Sequence, residues 1–353
     1  MDQDYRFMET VTEGDLRVFL SKPPFGLHNV PEDNILCFMD AVTHSTYAHE
    51  SEDRGEKCRS YERLEYLGDA VMEFLVIERL YLNTTLDVEE MNRRKEMYVK
   101  NDSLFHDVVS QIGDPRSIIR VSDSNWENFG PEGQSSVIAD VAEALIGAEF
   151  RCYGIDSARQ IVYSTVMKDF CPEAVREDSV ISDPVMRSRV RSFIEDMDPL
   201  CEDRHLKENE LDLFCEALTH PYYSNEKGDV RGNQRMILLG SAILQLMVSC
   251  YDFEHYPDAA EGKLTDMKQR AISHKNIYTY LRRSGIDVSE GIIASTSGPF
   301  EPGIRADISD KMESETFKAI IAAYYLLFGP EDTEELVSKV IFAYKPVCDG
   351  YAE

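Results

Sequence analysis

The feature that most constrains this chain is an internal repeat. Four segments of the first half recur in the same order in the second half, at offsets of 172 to 176 residues. The matched pairs are AVTHSTYAHE (41–50) with ALTHPYYSNE (217–226), YERLEYLGDAVM (61–72) with NQRMILLGSAIL (233–244), YVKNDSLF (98–105) with AISHKNIY (271–278), and DVAEALIGAEFRCYG (140–154) with ETFKAIIAAYYLLFG (315–329). Four collinear matches indicate a duplication, so the 353 residues predict two related domains rather than one undivided core.

The hydrophobic pattern predicts that both domains are all-α. Leu64, Leu67, Val71 and Phe74 share one face of a helix with a period of 3.6 residues, and alternating strand patterns are largely absent. The expected boundaries are a first domain over 12–170, a linker over 171–205 and a second domain over 206–345. The linker is charged and contains three prolines, and it has room for one helix around MRSRVRSFIEDM (186–197).

Composition bears on which partners the chain binds and on the compartment in which it is found. With 37 Lys and Arg against 65 Asp and Glu, the net charge is −28, which argues against autonomous binding to nucleic acid. No uninterrupted apolar run approaches the roughly 20 residues of a membrane helix, and the N-terminus lacks a signal-peptide pattern. Eight scattered cysteines without a CxxC pair are typical of reduced thiols, so we expect a cytoplasmic or nuclear protein that does not contact a membrane.

Two pairs of carboxylates in the first repeat stand at helical spacing. Glu65 and Asp69 are four residues apart, Asp140 and Glu143 are three apart, and each pair lies on one helix face. If the two faces meet, four carboxylates converge, which is unfavourable unless cations compensate. Oxygen ligands suit Mg²⁺ or Mn²⁺, and a divalent site opposite a phosphodiester suits its hydrolysis.

The alternative interpretation is that these acids form ordinary solvated helix faces, as acidic pairs in an acidic chain usually do. Three details argue against it. Both pairs lie inside apolar segments, both segments recur in the second repeat, and each contains a glycine, Gly68 or Gly147, that weakens a helix and so indicates close packing.

The same segments resemble the ribonuclease III family. ERLEYLGDAV (62–71) resembles the signature helix of that family, VTHSTYAHE (42–50) its earlier LTHxSxxxE segment, and ADVAEALIGAEF (139–150) its later acidic helix. The resemblance covers the whole first domain and, more faintly, the second. Two such domains in one chain are similar to the arrangement in Dicer and Drosha. The resemblance implies an all-α fold, an intramolecular pseudo-dimer of the two domains and Mg²⁺-dependent cleavage of double-stranded RNA.

The resemblance also implies roles for individual residues of the first domain. Glu65, Asp69, Asp140 and Glu143 match the four carboxylates of the family that bind metal and act in catalysis. The family often carries a lysine four residues before the later Asp, and this chain has Ser136 there, which puts the rate of cleavage in question but not the metal site.

Two further residues match positions at the domain–domain interface of the family. Glu62 is the first Glu of the signature and lies near that interface in relatives. Tyr66 occupies the aromatic position of the signature, for which packing in the core of its own domain is an equally good interpretation.

The second repeat has lost most of the acids. At the positions of the four carboxylates it has Ile237, Ser241, Glu315 and Lys318. We therefore predict a degenerate, metal-free second domain. Lys311 keeps the lysine position of the family, where it forms an ion pair or contacts RNA rather than acting in catalysis.

These observations lead to two functional hypotheses. The first is an endoribonuclease specific for double-stranded RNA, with one Mg²⁺ or Mn²⁺ site in the first domain and a structural or RNA-binding second domain. It would act as a monomeric chain whose domains pair, and a basic RNA-binding partner protein would compensate for the acidic surface. The alternative is a non-catalytic RNA-binding or scaffold subunit of an RNA-processing, editing or ribosomal complex.

Overall fold

The computed structural model describes residues 11–55, 58–100, 117–122, 126–173, 179–197, 206–228, 230–294 and 308–345. Within these ranges the regular structure is helical, and extended backbone pairs only in isolated parallel bridges. The prediction of an all-α fold is confirmed.

The helices follow the repeats. The first repeat contains α1 (Glu13–Leu20), α2 (Glu32–Ala41), α3 (Ser45–Asp53), α4 (Glu62–Asn83), α5 (Val88–Val99), α6 (Gly130–Tyr153) and α7 (Ile155–Ser164). The stretch predicted as a linker contains α8 (Pro184–Met197), which contacts the next helix along the chain. The second repeat contains α9 (Glu208–Leu218), α10 (Pro221–Lys227), α11 (Gln234–His255), α12 (Glu261–Ala271), α13 (His274–Arg283) and α14 (Asp310–Val337).

The chain forms two compact units that do not coincide with the two repeats. Unit 1 comprises residues 1–76, 92–171 and 253–265, and unit 2 comprises 77–91, 172–252 and 266–353. Each unit therefore consists mainly of one repeat and includes a short segment with the end of the long apolar helix of the other repeat and the residues after it.

The core of unit 1 lies between α1, α2, α4 and α6. Leu16, Phe38, Leu64 and Leu145 are among its buried side chains, each at most 4% exposed. The entry into α4 is held by backbone hydrogen bonds: Tyr61 N–H donates to the Thr43 carbonyl oxygen at 2.8 Å. These contacts fix where the signature segment begins relative to the core.

Unit 2 repeats this local design. Asn233 N–H donates to the Thr219 carbonyl oxygen at 2.9 Å, as Tyr61 does in unit 1. Its core includes Phe214 against Tyr324, with ring centroids 5.6 Å apart in an edge-to-face arrangement. The two repeats thus share local backbone contacts as well as sequence.

Arg63, on the signature helix α4, fastens the segment 253–265 within unit 1. Its guanidinium donates hydrogen bonds to the carbonyl oxygens of Phe253 at 2.8 Å, Tyr256 at 2.9 Å and Ala259 at 2.5 Å. It also lies 4.8 Å from the centroid of the Phe253 ring. A fork of charged donors can hydrogen-bond several carbonyl oxygens at once.

Arg235 is the counterpart of Arg63 in unit 2. It donates to the carbonyl oxygens of Tyr81 at 2.8 Å and Thr84 at 2.7 Å, and it lies 5.1 Å from the centroid of the Tyr81 ring. Both repeats therefore use an arginine at the same signature position to hydrogen-bond the end of the other repeat's long helix and the residues just after it.

Helix α11 corrects the expectation that no segment of the chain has the length and apolar composition of a membrane helix. By length and composition it could cross a membrane, because an 18-residue window has a mean hydropathy of 1.6. Half of that window is buried inside the protein, where Met236, Leu239, Ile243 and Leu244 belong to the core of unit 2. The sequence had suggested no such segment because short polar residues interrupt the apolar run.

Candidate active site

The site is organised by a very close crossing of α4 and α6. A Cβ atom added to Gly68 would overlap the carbonyl oxygen of Glu143 and lie 2.9 Å from the backbone nitrogen of Gly147. A Cβ atom added to Gly147 would overlap the carbonyl oxygen of Leu64. The two backbones therefore touch at the glycines, as the sequence predicted, because no side chain separates them.

This crossing brings the two predicted acidic pairs together. Glu65 and Asp69 lie on α4 on either side of the crossing, and Asp140 and Glu143 lie on α6. All four are partly buried, although their neighbours along both helices are largely buried and apolar. The acids thus lie together beside one helix crossing of unit 1, and the interpretation as separate solvated faces does not account for them.

Burial and mutual repulsion disfavour the charged forms of these carboxyls. Burial, followed by the charges of Asp69, Glu65 and Asp140, raises the pKa of Glu143 to about 9. Burial, followed by the charge of Asp140, raises the pKa of Glu65 to about 8. The pKa of Asp140 is raised by burial as well. Such a cluster is stable in its ionised form when a cation is bound.

The donor set fits a hard divalent cation, since it consists of carboxylate oxygens. In the part of the chain that the structure describes, however, no group of three or more His, Cys, Asp or Glu side chains is arranged so that it could hold a metal ion. Ligation would therefore require side-chain rotation that closes the carboxylates around the ion.

Two residues near the cluster were not predicted from the sequence. The Tyr61 hydroxyl donates a hydrogen bond to Asp140 Oδ2 at 3.2 Å and so helps to orient that carboxylate. Glu261, from the segment 253–265, lies close enough to Glu65 for its charge to contribute to the raised pKa of Glu65. The hydroxyl of Tyr61 at the start of the signature was a possible signal, whereas nothing in the sequence indicates that Glu261 approaches Glu65.

The remaining predicted residues lie as follows. Glu62 is the first residue of α4, where its negative charge interacts favourably with the positive end of the helix dipole. Tyr66 is only 3% exposed within unit 1. Lys311 is exposed in unit 2 and its Nζ lies 3.5 Å from Glu315 Oε1. Ser136 lies on α6, four residues before Asp140.

The second repeat has the same crossing with different side chains. A Cβ atom added to Gly240 of α11 would overlap the carbonyl oxygen of Lys318 in α14, so Lys318 holds the place that Glu143 has in unit 1. Ser241 follows the crossing glycine where Asp69 follows Gly68, and its hydroxyl donates to the Ile237 carbonyl oxygen at 2.7 Å. The backbone frame is retained with only one of the four acids, Glu315.

A family model described as ribonuclease-III-like matches residues 34–170 and 210–345. The chain belongs to the ribonuclease-III-like family. Ribonuclease 3 of Syntrophomonas wolfei is 29% identical over 136 residues, which are 38% of this chain and 56% of that relative. Ribonuclease 3 of Latilactobacillus sakei is 32% identical over 136 residues, which are 38% of this chain and 57% of the relative. The chain thus matches just over half the length of these relatives.

A solved structure extends the likeness to both repeats of this ribonuclease-III-like chain. Dicer from Giardia intestinalis is 16% identical, with a TM-score of 0.53, and the match covers 82% of this chain and 55% of that one. This likeness concerns the fold, and it confirms the predicted presence of two ribonuclease III-like domains.

Proposed function

We propose that this chain is an endoribonuclease that cleaves double-stranded RNA with Mg²⁺, or Mn²⁺ in its place, at a single site in the first repeat. The observation that carries the proposal is the crossing at Gly68 and Gly147, which gathers four mutually repelling, partly buried carboxylates beside it. The relatives named Ribonuclease 3 support this activity.

The proposed ligands are Glu65, Asp69, Asp140 and Glu143. A divalent ion held there would supply an activated water and stabilise the leaving oxygen of a phosphodiester. Tyr61 orients the Asp140 carboxylate through its hydrogen bond. The close backbone contact keeps the two pairs at a fixed separation, which leaves only side-chain rotation for ligation.

We assign the second repeat a structural and RNA-binding role without catalysis. Lys318 replaces the acid nearest the helix crossing, and an ammonium group there repels a divalent cation. The two domains would pair within one monomeric chain. We place the protein in the cytoplasm or nucleus, in agreement with the free cysteines among the described residues, such as Cys37 and Cys215.

A second candidate function is a non-catalytic RNA-binding or scaffold subunit of an RNA-processing, editing or ribosomal complex. It is favoured by the net charge of −28, which weakens autonomous binding to RNA, and by Ser136 in place of a lysine. A basic RNA-binding partner protein would supply the missing positive charge in either case.

The test is cleavage of an end-labelled RNA duplex by the purified chain in Mg²⁺, Mn²⁺ or EDTA. We expect cleavage with either metal, none in EDTA, and a loss of at least about 100-fold for Glu143→Gln, which removes a ligand charge. The matched control is Glu132→Gln, because Glu132 is exposed on the same helix.

Two results would contradict the nuclease proposal. If the Glu143→Gln protein cuts as fast as the Glu132→Gln protein, the carboxylate cluster is not the active site. If the wild-type chain binds duplex RNA and cuts it with neither metal, the scaffold function replaces the nuclease function.

A further inference from the structure

The second repeat carries a cluster of basic groups where the first repeat carries acids. Lys318 stands at the crossing of α11 and α14, and Lys311 lies two turns earlier on α14. His274, the first residue of α13, approaches the same turn: its Nδ1 lies 2.7 Å from Ser314 Oγ. We call these three residues and Glu315 the basic cluster.

One carboxylate, Glu315, is paired with two of the basic groups of this cluster. Glu315 Oε1 lies 3.5 Å from Lys311 Nζ and 4.0 Å from His274 Nε2. Lys318, in contrast, has no hydrogen bond or ion pair within 4.0 Å among the described residues, although the charge of Glu315 acts to raise its pKa. The cluster therefore has two lysines for one acid.

The environment of Lys318 makes the unbalanced charge significant. Its side chain is partly buried, and burial lowers its pKa, with a weaker opposing effect from Glu315. Holding a partly buried ammonium without an ion pair is unfavourable, and an anion binding beside it would relieve this. Hence the surroundings of Lys318 are suited to an anionic ligand.

We infer that the basic cluster of the second repeat, centred on Lys318 and Lys311, is a binding site for a phosphate group of the RNA backbone. The inference rests on the proposed function, because the acids of the first repeat would hold its substrate phosphate through a bound cation. The basic cluster of the second repeat would contact a phosphate directly, with an ammonium in place of the metal.

The test is RNA binding by the full chain, measured by fluorescence anisotropy in EDTA so that cleavage does not interfere. The probe is a duplex closed by a loop at each end, which carries no terminal phosphate, and salt is varied from about 50 to about 200 mM. Lys318→Gln should weaken binding about 3- to 10-fold and reduce the salt slope by about one, while Lys318→Arg should preserve the slope.

A second variant distinguishes an effect of charge on RNA binding from an effect of misfolding. Glu315→Gln removes the only carboxylate of the basic cluster, and we expect it to tighten binding by about two- to fivefold. A purely structural cluster would not give opposite effects for the two substitutions. The control is Lys339→Gln, because Lys339 is already paired with Glu335 at 2.7 Å and lies outside the cluster.

Three outcomes would overturn the inference: no binding of the closed duplex, the same affinity and salt slope for Lys318→Gln as for the wild type, or weaker binding by Glu315→Gln. A difference that occurs only with open duplexes bearing 5′-phosphates would also overturn the assignment to backbone phosphates. Cleavage in Mg²⁺ is assayed separately, so loss of the nuclease activity and loss of this site are distinguishable.

Discussion

Glu143 shows how a single residue links the site to stability. Its raised pKa means that the folded, metal-free protein holds this proton more tightly than the unfolded chain does. The stabilisation is therefore fully present below the ordinary Glu pKa of about 4.5 and is lost as the pH rises through about 9. Glu65, whose pKa is raised to about 8, contributes with the same sign.

We accordingly predict that the metal-free protein loses thermal stability between about pH 5 and about pH 9, and that Glu143→Gln reduces this loss. The measurement is the unfolding midpoint in EDTA across that pH range for both proteins, with Glu132→Gln as the control. Identical pH dependence in the wild type and Glu143→Gln would contradict the electrostatic account.

Arg63 is the second residue whose contribution can be measured alone. Arg63→Ala should destabilise the protein by about 2–4 kcal/mol, because three carbonyl oxygens lose a charged donor. Arg63→Lys should recover little of this, since one ammonium lacks the guanidinium fork. Urea unfolding checks both, with the exposed Lys22→Ala as the control, and an Arg63→Ala protein as stable as the control would refute the role of this fork.

Some residues of the candidate site could be predicted from the sequence and others could not. Glu65, Asp69, Asp140 and Glu143 could be proposed because helical spacing and glycines placed them on two touching faces. Glu261 could not, because its approach to Glu65 depends on the segment 253–265 being part of unit 1. That placement depends on tertiary contacts such as those of Arg63, which leave no periodic pattern in the sequence.

At the scale of helices, an alanine should have different effects on stability at Gly68, which lies in the contact between α4 and α6, and at Gly262, which lies outside it. Gly68→Ala should lower stability by about 2 kcal/mol or more, because the added methyl overlaps the Glu143 carbonyl oxygen and outweighs a gain in helix propensity of about 1 kcal/mol. Gly262→Ala in α12 meets nothing within 4 Å and should be neutral or stabilising.

Thermal unfolding of the two glycine variants and the wild type measures this difference. The proposed metal-dependent cleavage of duplex RNA should fall for Gly68→Ala as well, because the acidic pairs move apart when the helices separate. Equal midpoints for Gly68→Ala and Gly262→Ala would show that the crossing tolerates a side chain, against the geometry described here.

The helices themselves were the most predictable part of the fold. Periodicity was enough to predict α4, α6 and the helix within 186–197, because amphipathic or apolar faces repeat every 3.6 residues. The composition of the compact units was not predictable in this way. Repeat boundaries reflect the duplication. Segments 77–91 and 253–265, in contrast, each belong to the unit of the other repeat because of their three-dimensional contacts.

For the whole molecule, the proposed single active site in the first repeat predicts a nicked duplex as the first product. At early times a denaturing gel should show cut strands while a native gel still shows duplex of full length. The experiment uses dilute enzyme and excess duplex, so that each duplex is encountered once. Both strands cut together from the earliest time point, by a monomeric protein, would contradict the prediction.

The contact between the backbones at Gly68 and Gly147, and its counterpart at Gly240, also explains how the two copies could diverge. Where main chains meet directly, the adjoining side chains are not needed to hold the helices together. A duplicated copy could therefore exchange its acids for Ile237, Ser241 and Lys318 without losing its architecture. Under the functions proposed above, such a frame would let one copy bind a new ligand while the other keeps the reaction.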